Sequence, residues 1–90
     1  MAEENTIFIG KKGTMAYVLA VVTQVNAGAK DVTIKARGKA ISRAVDVSEI
    51  VKNKFIKDMK ITNISTSTEE LSSEEGGPIK VSSIEINLKK

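Results

Sequence analysis

The chain has neither cysteine nor histidine among its 90 residues. Without cysteine it has no disulfide bond and no thiolate-bound metal site. Without histidine it lacks the commonest general base and the commonest metal ligand. No Asp/Glu pair lies on an evident rigid face for acid–base chemistry, and Asp46 and Glu49 are interpreted as solvated. The sequence therefore predicts a protein that is not an enzyme, with no catalytic residues, metal site or cofactor.

Aromatic residues and long apolar runs are also scarce. The only aromatic residues are Phe8, Tyr17 and Phe55, too few for a protein that binds mainly by stacking on unpaired bases. No apolar run reaches the length of a membrane span, and the first five residues are acidic and polar, unlike a signal peptide. We therefore expect a cytoplasmic protein with no membrane partner.

The charge that is present is unevenly distributed. Residues 5–67 hold eleven lysine and arginine residues against four carboxylates, whereas residues 68–78 hold four glutamates and no cation. Such asymmetry indicates a charged partner rather than general solubility. The length predicts a single domain over residues 1–90, with a basic body (5–67), an acidic hairpin loop (68–78) and a last strand (79–90).

The hydrophobic pattern predicts the element order β-α-β-α-β-β. Alternating or β-rich runs predict strands over residues 6–9, 31–37, 59–67 and 79–89, with a bulge in the third. Helical spacing predicts one helix over residues 15–26, capped by Thr14, and a second over residues 39–56. These elements form an α/β fold of the two-layer α+β kind, in which two helices accompany a mixed four-stranded sheet.

Both predicted helices have an apolar face. The residues expected to face the core from the first helix are Met15, Val18, Val22 and Val25, with Leu19 and Val21 at the flanks. Those expected from the second are Ala40, Ala44, Val47, Val51 and Phe55, with Ile50 outside the stripe. Small residues on the other side of the first helix indicate that a second surface covers it, such as another subunit.

The turns that open the two helices carry a concentration of cations. These turns hold Lys11, Lys12, Arg37, Gly38 and Lys39, and Arg43 follows one turn into the second helix. If the first two strands are parallel, both turns leave the same end of the sheet. Converging cations near helix N-termini attract anions, and without aromatic residues they indicate contact with a phosphate backbone and little sequence preference. A solvated basic surface is the alternative interpretation.

Five stretches carry a more specific signal: IGKK at residues 9–12, M-x-YVL at 15–19, IKARGKAISRAVD at 34–46, EIVKNKF at 49–55 and VSSIEI at 81–86. Together they resemble the Alba family of archaeal chromatin proteins over nearly the whole chain. The resemblance implies a fold like that of the C-terminal domain of bacterial translation initiation factor three. It also implies a chromosome-associated homodimer that binds double-stranded DNA and RNA with little sequence preference.

The resemblance further implies roles for individual residues. Those that the resemblance implies to contact nucleic acid are Lys11, Lys12, Arg37, Gly38 and Lys39, and the predicted nucleic-acid site also includes Arg43, Lys52 and Lys54. Lys11 would be an acetylation target, which makes acetylating and deacetylating enzymes further partners. Phe55 would mediate contacts between neighbouring dimers on DNA.

Two stretches depart from the family pattern. The family usually has Pro-Val-Met-Asn after the two lysines, whereas residues 13–16 here are Gly-Thr-Met-Ala. Without the proline, the loop that holds the lysines is expected to be less rigid. The hairpin between the last two strands is normally basic but here carries Glu69, Glu70, Glu74 and Glu75. Because carboxylates repel phosphates, we expect weaker or differently shaped DNA binding than in a relative with a basic hairpin.

The sequence leaves three functions open. The main prediction is a dimeric protein that coats or compacts duplex DNA through phosphate contacts. The same surface would bind structured RNA, and a mainly RNA-binding protein is an alternative because the sequence does not rank the two nucleic acids. A protein–protein scaffold is the alternative, in which the first helix, Ile50 and Phe55 assemble filaments. An enzyme is the third and is disfavoured by the absent histidine and cysteine.

Overall fold

A computed structural model describes residues 5–72 and 76–90 of the chain. The strands in these ranges are β1 (Thr6–Phe8), β2 (Asp31–Arg37), β3 (Lys60–Leu71) and β4 (Ile79–Lys89). The helices are α1 (Thr14–Asn26) and α2 (Ile41–Ile50); a 3-10 turn (Gly38–Ala40) precedes α2 and a π-helical turn (Val51–Phe55) follows it. Neither helix of the described ranges is long and apolar enough to cross a membrane. The predicted fold class and element order are confirmed.

The four described strands form one mixed sheet in the order β1-β2-β4-β3. β1 pairs parallel with β2, which is the condition for both helix-opening turns to leave the same end of the sheet, and β4 pairs antiparallel with both β2 and β3. The predicted bulge in β3 is confirmed by a register shift between Ile61 and Asn63. Because β1 and β2 are parallel, their carboxyl ends lie at the same end of the sheet.

The two faces of the sheet have different environments. The core lies between the helices and one face, where β2 and β4 contribute Val32, Ile34, Ala36, Ile86 and Leu88. The cross-strand register places a set of mainly polar residues on the other face, namely Thr33, Lys35, Arg37, Ser83, Glu85 and Asn87. We call this second face the open face, because neither described helix packs on it. Strict alternation along β2 therefore separates core residues from charged ones.

The buried side of α1 differs in part from the predicted one. The buried residues of α1 are Val18, Val21 and Val25. Met15 and Leu19 are 47% and 54% exposed, so the expected core position of Met15 is wrong. Apolar residues occupy more than half of the circumference of this helix, and periodicity alone does not decide which stripe faces the sheet.

The helix α1 begins one residue earlier than predicted. Thr14 is its first residue, and Gly13 is the N-cap without a side-chain capping bond. The Ala16 N–H donates to the Gly13 carbonyl at 3.1 Å, which closes the first turn without help from the Thr14 hydroxyl.

The second helix is composite where one continuous helix was predicted. Ala44, Val47 and Val51 are buried as expected, but Phe55 is 44% exposed. The Ile56 N–H donates to the Val51 carbonyl at 2.8 Å, a pairing five residues apart that widens the turn and rotates the residues after it. Phe55 is the last residue of this widened turn, where the α-helical spacing that placed it in the core stripe no longer applies. Ile50, expected outside the stripe, is half-buried against the core because it lies at the edge of a stripe wider than the one predicted.

The acidic hairpin contains more strand than predicted. β3 continues to Leu71, and residues 68–71 pair with residues 79–82 of β4. The expected loop over residues 68–78 is therefore shorter. One face of this end carries Leu71, Ile79 and Val81 beside Glu69, but these residues are exposed or half-buried and do not belong to the core. Without a buried face, these strand residues have no clear hydrophobic pattern. Glu69 and Glu70 lie in β3, whereas Glu74 and Glu75 lie outside the described residues.

Candidate nucleic-acid interface

The two helix-opening turns leave the same end of the sheet. The Ile9 N–H donates to the Lys35 carbonyl at 2.9 Å, which continues the parallel pairing one residue past β1. The chain then enters the loop of residues 10–13, while β2 ends at Arg37 and enters the turn at Gly38. The structure thus brings Lys11 into the neighbourhood of the Arg-Gly-Lys turn, the arrangement that parallel strands imply.

The Tyr17 hydroxyl holds the loop of residues 10–13, which we call the lysine loop, against the first turns of α1. It accepts hydrogen bonds from the N–H groups of Gly10, at 2.9 Å, and Lys12, at 3.0 Å. A Cβ added to Gly10 would lie 3.2 Å from the Tyr17 hydroxyl oxygen, so glycine permits this close approach. The loop backbone is therefore fixed from outside, although the expected proline is absent.

Arg43 ties α2 to the same loop. Its Nη1 donates a hydrogen bond of 2.8 Å to the Gly10 carbonyl. A guanidinium has five N–H donors, so this bond leaves donors available for an anion. Arg43 therefore both positions the loop and adds positive charge to it.

Gly38 redirects the chain between β2 and α2. Its φ is +53°, a left-handed conformation that glycine adopts without the Cβ penalty of other residues. The turn leaves Arg37 on the open face, opposite Ser83 of β4, and continues into Lys39. Gly38 thus acts on the site through backbone geometry.

A surface depression at this end of the sheet collects most of the predicted cations. Its basic residues are Lys11, Lys35, Arg37, Lys39 and Arg43, and we call it the basic depression. Its other side is formed largely by β3 and β4 and includes Ser65, Ser67, Glu69, Ser83 and Glu85. Five positive side chains thus share one concave surface with two carboxylates.

Three of the predicted site lysines lie outside the basic depression. Lys12 is on the lysine loop but does not line the depression. Lys52 and Lys54 belong to the π-helical turn at the far end of α2, a helix of 10 residues and so about 15 Å long. Lys52 Nζ lies 3.2 Å from Glu49 Oε2. The structure therefore places Lys52 and Lys54 on a second, separate basic segment, next to the exposed Phe55.

Two cations of the open face already have carboxylate partners. Arg37 Nη2 lies 2.9 Å from Glu69 Oε1, and Lys35 Nζ lies 3.7 Å from Glu85 Oε1. Lys35 Nζ also lies 5.9 Å from the centre of the Phe8 ring. By contrast, a set of cations forms no ion pair with any carboxylate of residues 5–72 and 76–90, namely Lys11, Lys12, Lys39 and Arg43. These are the cations most readily available to an external anion.

The sequence profile of the Alba family matches residues 5–68. The DNA/RNA-binding protein Alba of Methanocella arvoryzae is 62% identical over 90 residues, which cover 100% of this chain and 94% of that protein. The chain belongs to the Alba family. The structure of Alba from Thermoplasma volcanium superposes with a TM-score of 0.91 and is 58% identical, covering 96% of this chain and 100% of that one. The structure of ALBA1 from Trypanosoma brucei gives a TM-score of 0.77 at 29% identity, covering 96% and 68% of the two chains.

The residues that match the family profile include the lysine loop, the Arg-Gly-Lys turn and α2. Two structural features of this Alba-family chain were not anticipated from its sequence. The first is the role of Tyr17. Its hydroxyl binds amides five and seven residues earlier in the chain, and separations of this size form no recognisable sequence motif. The partner of Arg37 was also not predicted, because Glu69 is distant in sequence and two strands away in the sheet.

Proposed function

We propose that this protein binds duplex DNA and RNA through phosphate contacts, with little sequence preference. The observation that carries the proposal is the gathering of Lys11, Lys39 and Arg43 in the basic depression without carboxylate partners among the described residues. Lysine and arginine bind phosphate oxygens and release counterions from the nucleic acid, and such contacts carry little sequence information. The names of the relatives, DNA/RNA-binding proteins, agree with this function.

The protein binds as a homodimer in this proposal, and it coats or compacts the nucleic acid. A chain of 90 residues buries a modest fraction of its surface, and α1 leaves Met15 and Leu19 about half exposed one turn apart. Phe55 and Ile64 are further exposed apolar residues, at 44% and 53%. Burial of Met15, Leu19 and Ile64 between subunits would stabilise a dimer, and a dimer would present the basic depression twice. Phe55 would then remain available for contacts between neighbouring dimers.

Self-association has its own test. Sedimentation equilibrium of the full chain should give twice the 9.7 kDa mass of one chain at micromolar concentration. A monomer that still binds duplex DNA would refute the dimer and leave the nucleic-acid function intact.

The competing function is a protein scaffold that assembles through the exposed apolar residues alone. Assembly of such a scaffold would be independent of nucleic acid.

Lys11 is the proposed site of regulation by acetylation in a chromosome-associated, cytoplasmic protein. It is exposed and forms no ion pair with a described carboxylate. Acetylation would remove its charge and with it one phosphate contact. Mass spectrometry of protein isolated from cells should find a fraction of Lys11 acetylated, and Lys11 that is always unmodified would remove this part of the proposal.

The phosphate surface is tested by titrating the protein with duplex DNA and duplex RNA. The variant Lys11→Glu/Lys12→Glu should bind both more weakly than wild type. The matched control is Lys89→Glu/Lys90→Glu, which changes the net charge equally at the chain end where β4 pairs with the start of β2. Equal loss in both variants would mean that only overall charge matters and would refute the assigned surface.

A further inference from the structure

Arg37 and Glu69, which both line the basic depression, form an ion pair over the open face of the sheet. Arg37 is at the end of β2 and Glu69 is in β3, with β4 between the two strands. Arg37 Nη2 nevertheless reaches Glu69 Oε1 at 2.9 Å, across β4. This is the shortest ion pair among the described residues. A guanidinium is therefore held over the open face by an anion of the protein's own hairpin.

Hydroxyl groups lie beneath this contact. The register places Arg37 opposite Ser83, and Ser83 opposite Ser67. Paired residues share a face of a sheet, and the two serine Oγ atoms are 2.7 Å apart. Ser67 and Glu69 are two residues apart on β3 and so point to the same face. Arg37, two hydroxyls and one carboxylate thus form a single cluster that lines the basic depression.

The chemistry of this cluster matches that of a phosphate site. Arginine binds carboxylate and phosphate with the same planar arrangement of N–H donors. A hydroxyl proton rotates about its C–O bond and can turn from a neighbouring oxygen to a phosphate oxygen. We propose that Arg37 and the hydroxyls of Ser67 and Ser83 form a phosphate subsite, which the Glu69 carboxylate occupies until a nucleic-acid phosphate displaces it. The proposal rests on the nucleic-acid function proposed above and adds to it a residue that limits affinity.

The partial exposure of the pair makes displacement feasible. The side chains of Arg37 and Glu69 are 58% and 37% exposed. Ion pairs in such positions are weak because solvent and salt screen them. A phosphodiester that also contacts Lys11 and Lys39 can therefore compete with a single carboxylate. Glu69 would lower affinity for the backbone without abolishing it.

The variant Glu69→Gln tests the proposal, because it removes the charge and keeps the size of the side chain. Its matched control is Glu70→Gln, the same change one residue along β3, where the side chain points to the other face and forms no ion pair with the described residues. At low salt Glu69→Gln should bind duplex DNA about two- to fivefold more tightly than Glu70→Gln. The difference should disappear when both are combined with Arg37→Gln.

Two results would overturn the subsite while leaving the nucleic-acid function standing. One is an equal gain in Glu69→Gln and Glu70→Gln, which would make Glu69 a general charge. The other is an advantage of Glu69→Gln that persists without Arg37, which would break the link between the two residues.

A second measurement separates the subsite from the proposed function. Inorganic pyrophosphate is titrated into each protein while the NMR resonance of the Arg37 side-chain N–H is followed. Glu69→Gln should respond at a two- to fivefold lower concentration than wild type and Glu70→Gln, even if duplex DNA did not bind. Identical responses in all three proteins would refute the subsite.

Discussion

The Arg43 guanidinium of α2 donates a 2.8 Å hydrogen bond to the Gly10 carbonyl, 33 residues earlier in the chain. This bond joins the helix that follows the Arg-Gly-Lys turn to the loop that carries Lys11 and Lys12. The two halves of the proposed phosphate surface are therefore mechanically connected. A change at Arg43 should alter the position of the lysines as well as the local charge.

Arg43→Lys separates these two roles, because lysine keeps the positive charge but lacks the planar set of donors. We expect a loss of about 0.5–1.5 kcal/mol in the free energy of unfolding, the net value of a typical hydrogen bond. Duplex affinity should fall by a few-fold at unchanged net charge. Urea unfolding and duplex titration measure the two effects. An affinity equal to that of wild type would show that Arg43 contributes only charge.

Tyr17→Phe should loosen the lysine loop without changing the charge. The substitution removes the acceptor of the Gly10 and Lys12 N–H groups and keeps the ring. Hydrogen exchange at these two amides should accelerate, while the Ile9 amide, bonded to the Lys35 carbonyl, should keep its protection. Equal acceleration at all three amides would mean that the whole loop and strand end had opened, which would contradict a local effect.

Gly38→Ala should destabilise the turn into α2. Its φ of +53° costs an L-residue roughly 1–2 kcal/mol, although a Cβ would meet no atom within 4 Å. The control is Gly13→Ala, where a Cβ also has open space but φ is −65°, so no such cost is expected. Denaturant unfolding of both variants gives the difference. Equal stability of the two variants would show that alanine adopts the left-handed backbone conformation at position 38 without cost, or that the turn changes conformation.

The sequence predicts β2 and β4 well because each alternates between a core face and a polar face. Residues 31–37 and 79–89 were predicted as strands and are β2 and β4. The parallel pairing that brings the two basic turns together could also be inferred, since a strand–helix–strand connection of this kind favours it. These local and topological signals explain why most of the basic depression was found from the sequence.

Other features depend on contacts that no local pattern encodes. The π-helical turn that contains Phe55 has a hydrogen bond between residues 51 and 56, whereas helical periodicity assumes a constant turn. The strand at residues 68–71 has one apolar residue, Leu71, and neither it nor its partners at residues 79–82 belong to the core, so the pairing leaves little hydrophobic signature. The Arg37–Glu69 contact requires the sheet order, which places β4 between their strands. From the sequence, the acidic hairpin was expected to repel phosphate. Its ion pair with Arg37 was not expected.

The central claim is that the cations of the basic depression bind phosphates. Its most direct test is the dependence of duplex DNA affinity on salt concentration in wild type and in Lys11→Glu/Lys12→Glu. Each phosphate contact contributes about 0.9 to the slope of log affinity against log salt. We expect a steep negative slope in wild type and a slope shallower by about 0.9 for each lysine that contacts phosphate. A slope near zero in wild type, or the same slope in both proteins, would contradict the account.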